Sequence, residues 1–213
     1  MEYLGEREKR EIKMGNFSLI EASIVVLAKN HNPSIVSKDW LTQNKIIEEE
    51  ILNFTHLPVV SIIETNNFNL FVDPNKLQLT IKKISSENLK ALPQIISEYL
   101  GKLPETPYTA IGFNYSYRLE TEARKIKEVL LIDETRLIEI FSEDYTFGGI
   151  ITFAFGDLTV KLIIKPINHK EIGGDFNFHF ASNKKDEIIK KLFEHPDTKR
   201  KADEILGGLF NAD

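Results

Sequence analysis

Two stretches of the chain, 59–82 and 150–181, alternate apolar with polar side chains, and this pattern limits the fold more than any other feature of the sequence. A repeat of two residues places alternate side chains on opposite faces of a β-strand. Within the second stretch, Gly156-Asp157 predicts a two-residue hairpin turn. The predicted register pairs Phe155 with Leu158, Phe153 with Val160, Ile151 with Leu162 and Thr152 with Lys161. Each stretch is therefore predicted to form an antiparallel ribbon with one apolar face.

The first alternating stretch contains two turn signals. Asn66-Asn67 predicts a type I′ hairpin turn, because asparagine tolerates the positive φ that this turn requires, and the turn pairs Ser61 with Val72. Asp73-Pro74-Asn75-Lys76 predicts the next turn, since the proline ring sets φ at its second position. The stretch is therefore predicted to form three successive strands.

Two longer strands are predicted outside these stretches. Residues 17–28 are apolar and β-branched and indicate a buried strand, which ends before Asn32-Pro33-Ser34. Residues 108–119 place Phe113 and other large side chains on one face and short side chains, including Gly112, on the other. We expect a neighbouring element or a ligand to lie against that smooth face.

Helical patterns occupy most of the remaining chain. One apolar stripe begins near Pro93, which we expect at the start of its helix. Pro196 separates two helices near the C-terminus, and Asp197 or Thr198 is expected to cap the last one. The segment 30–58 is predicted to be a connection that contains a short helix.

The order of these elements predicts an α+β fold, with antiparallel β-sheet built from meanders and helices packed on one face. After a charged N-terminal segment, 1–16, we expect a single domain over 17–213. Its two halves, 17–119 and 120–213, resemble each other in the order of their elements, since each is predicted to be a meander followed by helix. We interpret Gly173-Gly174 as a flexible entry to the last strand.

Composition excludes several classes of site. The 213 residues include no cysteine, which excludes disulfides, thiolate nucleophiles and cysteine-based metal centres. The five histidines are scattered, and no phosphate-binding glycine loop or nucleophile elbow occurs. We therefore predict no metal site, no cofactor and no motif-bearing catalytic residues.

Charge and hydropathy bear on partners and location. No apolar stretch approaches the ~20 residues that cross a bilayer, and no export signal is recognisable, so we expect a cytoplasmic protein without a membrane partner. The formal net charge of -5 argues against a generally basic polyanion binder. Lys184 to Lys201 is locally basic and offers an alternative nucleic-acid surface, but a solvated helix face is the preferred interpretation.

Polar side chains beside the smooth face form the candidate ligand-binding set. Tyr115 and Tyr117 share the opposite face with Phe113 and are expected to extend the core. The candidates, which would line a cleft if a ligand binds there, lie on two predicted strands: Asn114, Ser116, Arg118, Asp175, Asn177 and His179.

Two blocks of sequence resemble a known group of proteins. The first is Asn32-Pro33-Ser34-Ile35 with Trp40-Leu41 and Asn44-Lys45-Ile46; the second runs from Leu103-Pro104 through Pro107-Tyr108 to Ala110-Ile111-Gly112 and Asn114. Together they resemble an uncharacterised family of intracellular prokaryotic proteins with no known activity. The resemblance implies a prokaryotic, intracellular setting and contributes no catalytic residues.

The preferred hypothesis is a binding module that recognises a protein or a small molecule. An exposed sheet edge suits self-association, so a homodimer is one predicted assembly. The alternative is an enzyme with dispersed carboxylate and histidine chemistry, drawing on His179, Asp175 and Arg118. A third hypothesis, nucleic-acid binding, relies on the basic C-terminal helices.

Overall fold

The computed structural model of the chain describes residues 17–142 and 145–210, so the charged segment predicted over 1–16 lies outside the described residues. The elements follow the chain in this order: β1 (Phe17–Ala28), a 3-10 turn (Pro33–Ile35), α1 (Lys38–Gln43), β2 (Asn53–Leu57), β3 (Val60–Glu64), β4 (Phe68–Val72), β5 (Lys76–Ile81), α2 (Ser86–Lys102), β6 (Tyr108–Leu119), α3 (Lys125–Val129), α4 (Thr135–Phe141), β7 (Gly149–Phe155), β8 (Leu158–Asn168), β9 (Glu171–Ala181), α5 (Lys185–Leu192) and α6 (His195–Phe210).

All nine strands form one antiparallel sheet in the order β2-β3-β4-β5-β1-β6-β9-β8-β7. The predicted α+β class, with a meander-built antiparallel sheet and helices on one face, is confirmed. The strands β1 and β6 lie side by side at the centre of the sheet. Each central strand also pairs with the last strand of the meander that follows it in the chain, β5 or β9.

The sheet has one face covered by helices, which we call the helix face. Alternate residues of β6, from Ile111 to Leu119, point to this face and are almost fully buried. The hydroxyl of Tyr115 donates to the carbonyl oxygen of His195 in α6 over 3.0 Å, and that of Tyr117 donates to Asp203 over 2.8 Å. Both tyrosines belong to the core, as predicted, and burial raises the pKa of each phenol.

Further helices complete this layer. The helix α2 contacts β1 and β5, α5 contacts β6 and α2, and α3 contacts β8 and α6. Near the β2 edge, Ser61 donates from its hydroxyl to the carbonyl oxygen of Pro33 in the 3-10 turn over 2.9 Å. The layer therefore extends over nearly the whole width of the sheet.

The predicted hairpin registers are confirmed. Ser61 lies opposite Val72, and all four predicted pairs of the β7–β8 hairpin occur around Gly156, which adopts φ +60°. The type I′ turn at Asn66-Asn67 is wrong, because neither asparagine has a positive φ. Instead, the backbone N–H and side-chain amide of Asn67 donate to the Glu49 carboxylate.

Helix boundaries differ from the sequence expectation at two prolines. The helix α2 begins at Ser86 and holds Pro93 in its interior; Ser85 caps it by accepting from the N–H of Asn88 over 3.1 Å. The helix α6 begins at His195, and the Thr198 hydroxyl bonds the His195 carbonyl oxygen rather than a free N–H, so the expected Thr198 cap is wrong.

Two strand predictions also need correction. The segment 30–58 is more than a connection, since it contains β2, which pairs with β3. Gly173 and Gly174 are not a flexible entry, because both lie within β9 and pair with β6 and β8. A Cβ atom at Gly174 would lie 3.3 Å from Leu206 of α6, so the missing side chain admits the helix.

His195 lies buried at the start of α6, against the rings of Phe113 and Tyr115. Burial, assisted by the charge of Lys199, lowers its pKa from 6.5 to about 4. Its Nε2 atom has no hydrogen-bond partner among the described residues. The folded state therefore holds the imidazole neutral at pH values where the unfolded chain protonates it.

We predict that the free energy of unfolding falls as the pH is lowered from 6.5 towards 4. Because the pKa of His195 is lowered in the folded state, the unfolded state binds one more proton than the folded state in this window. The stabilisation is therefore complete above pH 6.5 and is lost on acidification. The loss from His195 is at most about 3 kcal/mol. Urea unfolding at several pH values measures it. His195→Gln should reduce the slope of stability against pH.

His169→Gln provides the matched control, because His169 is exposed in the β8–β9 turn. This variant should keep the wild-type slope. An unchanged slope in His195→Gln would contradict the assignment of the effect to the buried imidazole.

Candidate binding face

The face of the sheet opposite the helix face carries all six candidate residues, and we call it the open face. Asn114, Ser116 and Arg118 alternate along β6 with the buried core residues, so their side chains point away from the helices. In β9, Asp175 lies opposite Ser116 and Asn177 lies opposite Asn114. His179 lies one row further along, opposite Gly112. The structure thus brings the predicted set together on two neighbouring central strands.

A continuous row of polar residues crosses the open face and takes one residue from every strand. Each member is the register partner of the next, from one sheet edge to the other. We call this set the polar row; in order across the sheet it consists of Asn53, Glu64, Asn69, Thr80, Ser23, Asn114, Asn177, Lys161 and Thr152. Apart from Ser23, which is almost fully buried, its amide, hydroxyl and charged groups present both hydrogen-bond donors and acceptors at the surface.

Hydrogen bonds fix the orientation of the side chains at the centre of the polar row. The Nδ2 atom of Asn177 donates to Oδ1 of Asn114 over 2.6 Å. The Nδ2 atom of Asn114 donates in turn to the hydroxyl of Ser23 over 3.4 Å, and Ser23 is almost fully buried. The two asparagines are half-buried, so this chain of bonds presents preoriented amide groups to the solvent.

Short side chains form a shallow depression beside the polar row. Gly112 lies at its centre with Val25 and His179 as its two register partners, and Ala110 lies two residues along β6. The sequence led us to expect an element or a ligand against this smooth face. Within residues 17–142 and 145–210, all helices that pack on the sheet lie on the helix face. No helix therefore covers the depression in the described part of the protein, and the burial of Ala110 and Gly112 is due to larger side chains around them, including Asn177.

Two glycines on neighbouring strands allow the two faces to be compared. A Cβ atom at Gly112 would lie 3.3 Å from Nδ2 of Asn177 and would meet no helix, whereas a Cβ atom at Gly174 would lie 3.3 Å from Leu206 of α6. The Asn177 side chain can move outward into solvent. Leu206 is fully buried and has little room to move.

We predict that Gly112→Val changes the free energy of unfolding by less than about 1 kcal/mol, because the β-propensity of valine offsets the displacement of Asn177. Gly174→Val should destabilise the protein by about 1–3 kcal/mol, since it overpacks the core beneath α6. Urea denaturation of both variants measures the difference. Equal destabilisation by the two substitutions would contradict an open face at Gly112.

Charges on the open face are largely paired. Nζ of Lys165 lies 2.7 Å from the Asp175 carboxylate, and Lys82 forms an ion pair with Glu64. Arg118 lies 3.8 Å from Glu171 at the end of β6. The face therefore carries both signs of charge and has no strongly basic or acidic character.

The three residues of the enzyme hypothesis do not converge. Asp175 and His179 are four positions apart on β9, which corresponds to about 13 Å along a strand. Arg118 lies opposite Gly173, a further two positions away. A reacting group cannot contact all three side chains at once, so their placement gives the hypothesis no support.

Because the chain has no cysteine, a cluster of metal-ligating side chains would have to be built from histidine and carboxylates. Within residues 17–142 and 145–210, no group of three or more histidine, aspartate or glutamate side chains is arranged to hold a metal ion. In the same residues, no helix combines the length and the apolar character that crossing a membrane requires.

A cleft of about 630 Å³ lies beyond the end of β6, beside the β8–β9 turn, and the sequence did not predict it. It is lined by Glu120, Thr121, Glu122, Asn168, Lys170 and Glu171. The backbone N–H of Ala123 donates to the carbonyl oxygen of His169 and closes one side of this region. The Arg118–Glu171 ion pair places the cleft next to the candidate set but outside the polar row.

The basic C-terminal helices are neutralised within the protein. Five of the seven cations between Lys184 and Lys201 form ion pairs with neighbouring carboxylates. Lys191 is the most buried of them: its Nζ atom lies 2.7 Å from Asp157 and 2.9 Å from Glu194. Although burial alone would lower the pKa of Lys191, hydrogen bonds to these carboxylates raise it overall. This arrangement leaves little free positive charge for a phosphate backbone.

The open face extends into the first half of the chain, which the candidate set did not include. Ser23, Thr80 and Asn69 continue the polar row through β1, β5 and β4. The alternation in 59–82 identified the polar, solvent-facing positions of the strands in that segment. The order of strands in the sheet, which aligns these positions into one row, cannot be deduced from the sequence of any one strand.

Comparisons with known proteins add no family assignment. No protein-family model matches the chain, and no curated protein matches it either. The resemblance of the two sequence blocks therefore stays a prediction.

Proposed function

We propose that the chain is a binding module that recognises a protein partner through the open face. The observation that carries this proposal is the polar row, which runs through all nine strands with the shallow depression around Gly112 beside it. A nine-stranded sheet exposes a surface about 40 Å wide at ~4.8 Å between strands, which suits a macromolecule.

The chemistry of the face favours a protein over a small molecule. Small-molecule sites are concave and enclose most of their ligand, whereas the centre of the open face is shallow. Ile62, Phe71, Val25 and Leu27 provide apolar area close to the polar row. A mixture of apolar and hydrogen-bonding groups, with few unpaired charges, is typical of protein–protein interfaces.

The depression around Gly112 supports a specific mode of contact. Ala110 and Gly112 leave space where the neighbouring strands carry Leu27 and Val25. A single large side chain of the partner can pack over these short residues, as the anchor residues of protein interfaces do. The oriented amides of Asn114 and Asn177 then bond the polar groups around that anchor.

Site-specific photo-crosslinking in the source cells tests the proposal. We predict that benzophenone side chains placed at Ser116 or Gln78, on the open face, give protein adducts of discrete mass. The same probe at Lys90 or Glu98, both exposed on α2 in the helix layer, should give none. All four probe positions are accessible to solvent, so a difference in adduct formation is due to the face that carries the probe and not to its exposure.

The substitution Gly112→Val provides a matched control, because it fills the depression without disturbing the core. Introduced together with the probe at Ser116, it should remove the adduct. Adducts from both faces, or no protein adduct from the open face, would overturn the proposal.

A further inference from the structure

The nine-stranded sheet ends in two edge strands, β2 and β7. Among residues 17–142 and 145–210, no strand pairs with the outer side of either one. Edge strands offer unpaired backbone N–H and C=O groups, and proteins protect them with charge, proline, bulges or short length. The two edges differ in how far they carry such protection.

The strand β7 is less protected than β2. The strand β2 is a short edge of five residues, and Pro58 follows it directly. The seven residues of β7 include no charged side chain and no proline, and their pairing with β8 has no bulge. Ile150 of β7 is 63% exposed on the open face. Such a strand promotes aggregation unless it is covered.

We propose that β7 pairs antiparallel with β7 of a second copy of this chain, across a two-fold axis at Thr152. Because the two paired strands are identical and related about their middle residue, they match in length along the whole pairing. A two-fold interface of this kind uses the same surface on both copies and therefore stops at a dimer. The proposal concerns the edge of the sheet and is independent of what binds the open face.

The side chains of β7 are complementary in this register. On the open face, Thr152 meets its own copy and Ile150 meets Ala154. On the helix face, Ile151 meets Phe153, and Phe155 meets Gly149, whose missing side chain admits Leu130 of the same chain, so the ring of Phe155 would pack beside Leu130. The directly opposed pairs are therefore two apolar side chains, an aromatic side chain opposite glycine, or two threonines. No pair contains a charged side chain.

Charges on the next strand do not oppose the pairing. Lys161 of β8 is the register partner of Thr152. The two copies of Lys161 would be separated by three strand spacings, about 14 Å. This separation exceeds the Debye length of about 8 Å at physiological ionic strength, so their repulsion is largely screened.

The pairing also extends the open face. Because Thr152 is the last member of the polar row, its contact with the second Thr152 joins the two polar rows into one. The dimer has an 18-stranded sheet whose helix layers both lie on one side.

The absence of cysteine from the chain permits a direct test. In Thr152→Cys the two thiols lie on the two-fold axis. Directly opposed residues of antiparallel strands have Cα atoms about 4.5–5.5 Å apart, which is within the range of a disulfide. Mild oxidation should give a disulfide-linked dimer with twice the 24.5 kDa mass of the chain. Light scattering should give the same doubled mass for the wild-type protein, which cannot form a disulfide.

Three variants serve as controls. Thr159→Cys lies on the same face one strand inward, and Thr55→Cys lies on β2; both positions are exposed, and neither variant should cross-link. Thr152→Glu should be monomeric, because two carboxylates would meet on the axis, while its pairing with Lys161 within the chain preserves the fold. Circular dichroism verifies that this variant remains folded.

Several results would overturn the proposal. A monomeric wild-type protein would show that β7 does not pair with a second copy. Cross-linking through Thr55→Cys without cross-linking through Thr152→Cys would assign the dimer to β2. A Thr152→Glu variant that is folded and still dimeric would exclude the two-fold axis at this residue.

Discussion

The burial of the aromatic side of β6 beneath α5 and α6 is the constraint on which the rest of the structure depends. Phe113, Tyr115 and Tyr117 lie on this side, and the tyrosine hydroxyls are bonded to α6 rather than to water. Because alternate residues of a strand point to opposite faces, this burial commits Asn114 and Ser116 to the opposite side. A shift of one residue would bury the asparagine and expose the rings, so the same contacts fix both the core and the open face.

Much of the fold follows from local signals in the sequence. The Gly156-Asp157 turn predicted the register of the β7–β8 hairpin, and placing Asp175, Asn177 and His179 on one side of β9 agrees with the burial of Phe176 and Phe178 on the other. The failures also have local causes. Pro93 favours a helix start by its ring geometry, but the Ser85 cap and the buried stripe around it extend α2 seven residues further back. Gly173-Gly174 has the composition of a loop, but both residues pair with β6 and β8, and α6 packs against Gly174.

The candidate set was predictable only in part. Alternation placed Asn114, Ser116 and Arg118 on one side of a strand and Asp175, Asn177 and His179 on one side of another. That the two strands are neighbours depends on contacts between distant parts of the chain, and a pattern of period two carries no information about them. The same limit hid Ser23 and Thr80, which join the polar row only because β1 lies between β5 and β6.

The central position of β1 has a consequence for synthesis of the chain. Its two sides pair with β5 and with β6, and β6 follows β1 by some eighty residues. While the chain emerges from the ribosome, the first five strands and α2 can assemble, but one side of the β-branched segment Ile24–Leu27 stays without a partner until Tyr108–Leu119 is available. The nascent protein is therefore most exposed to misassembly during the interval between these two segments.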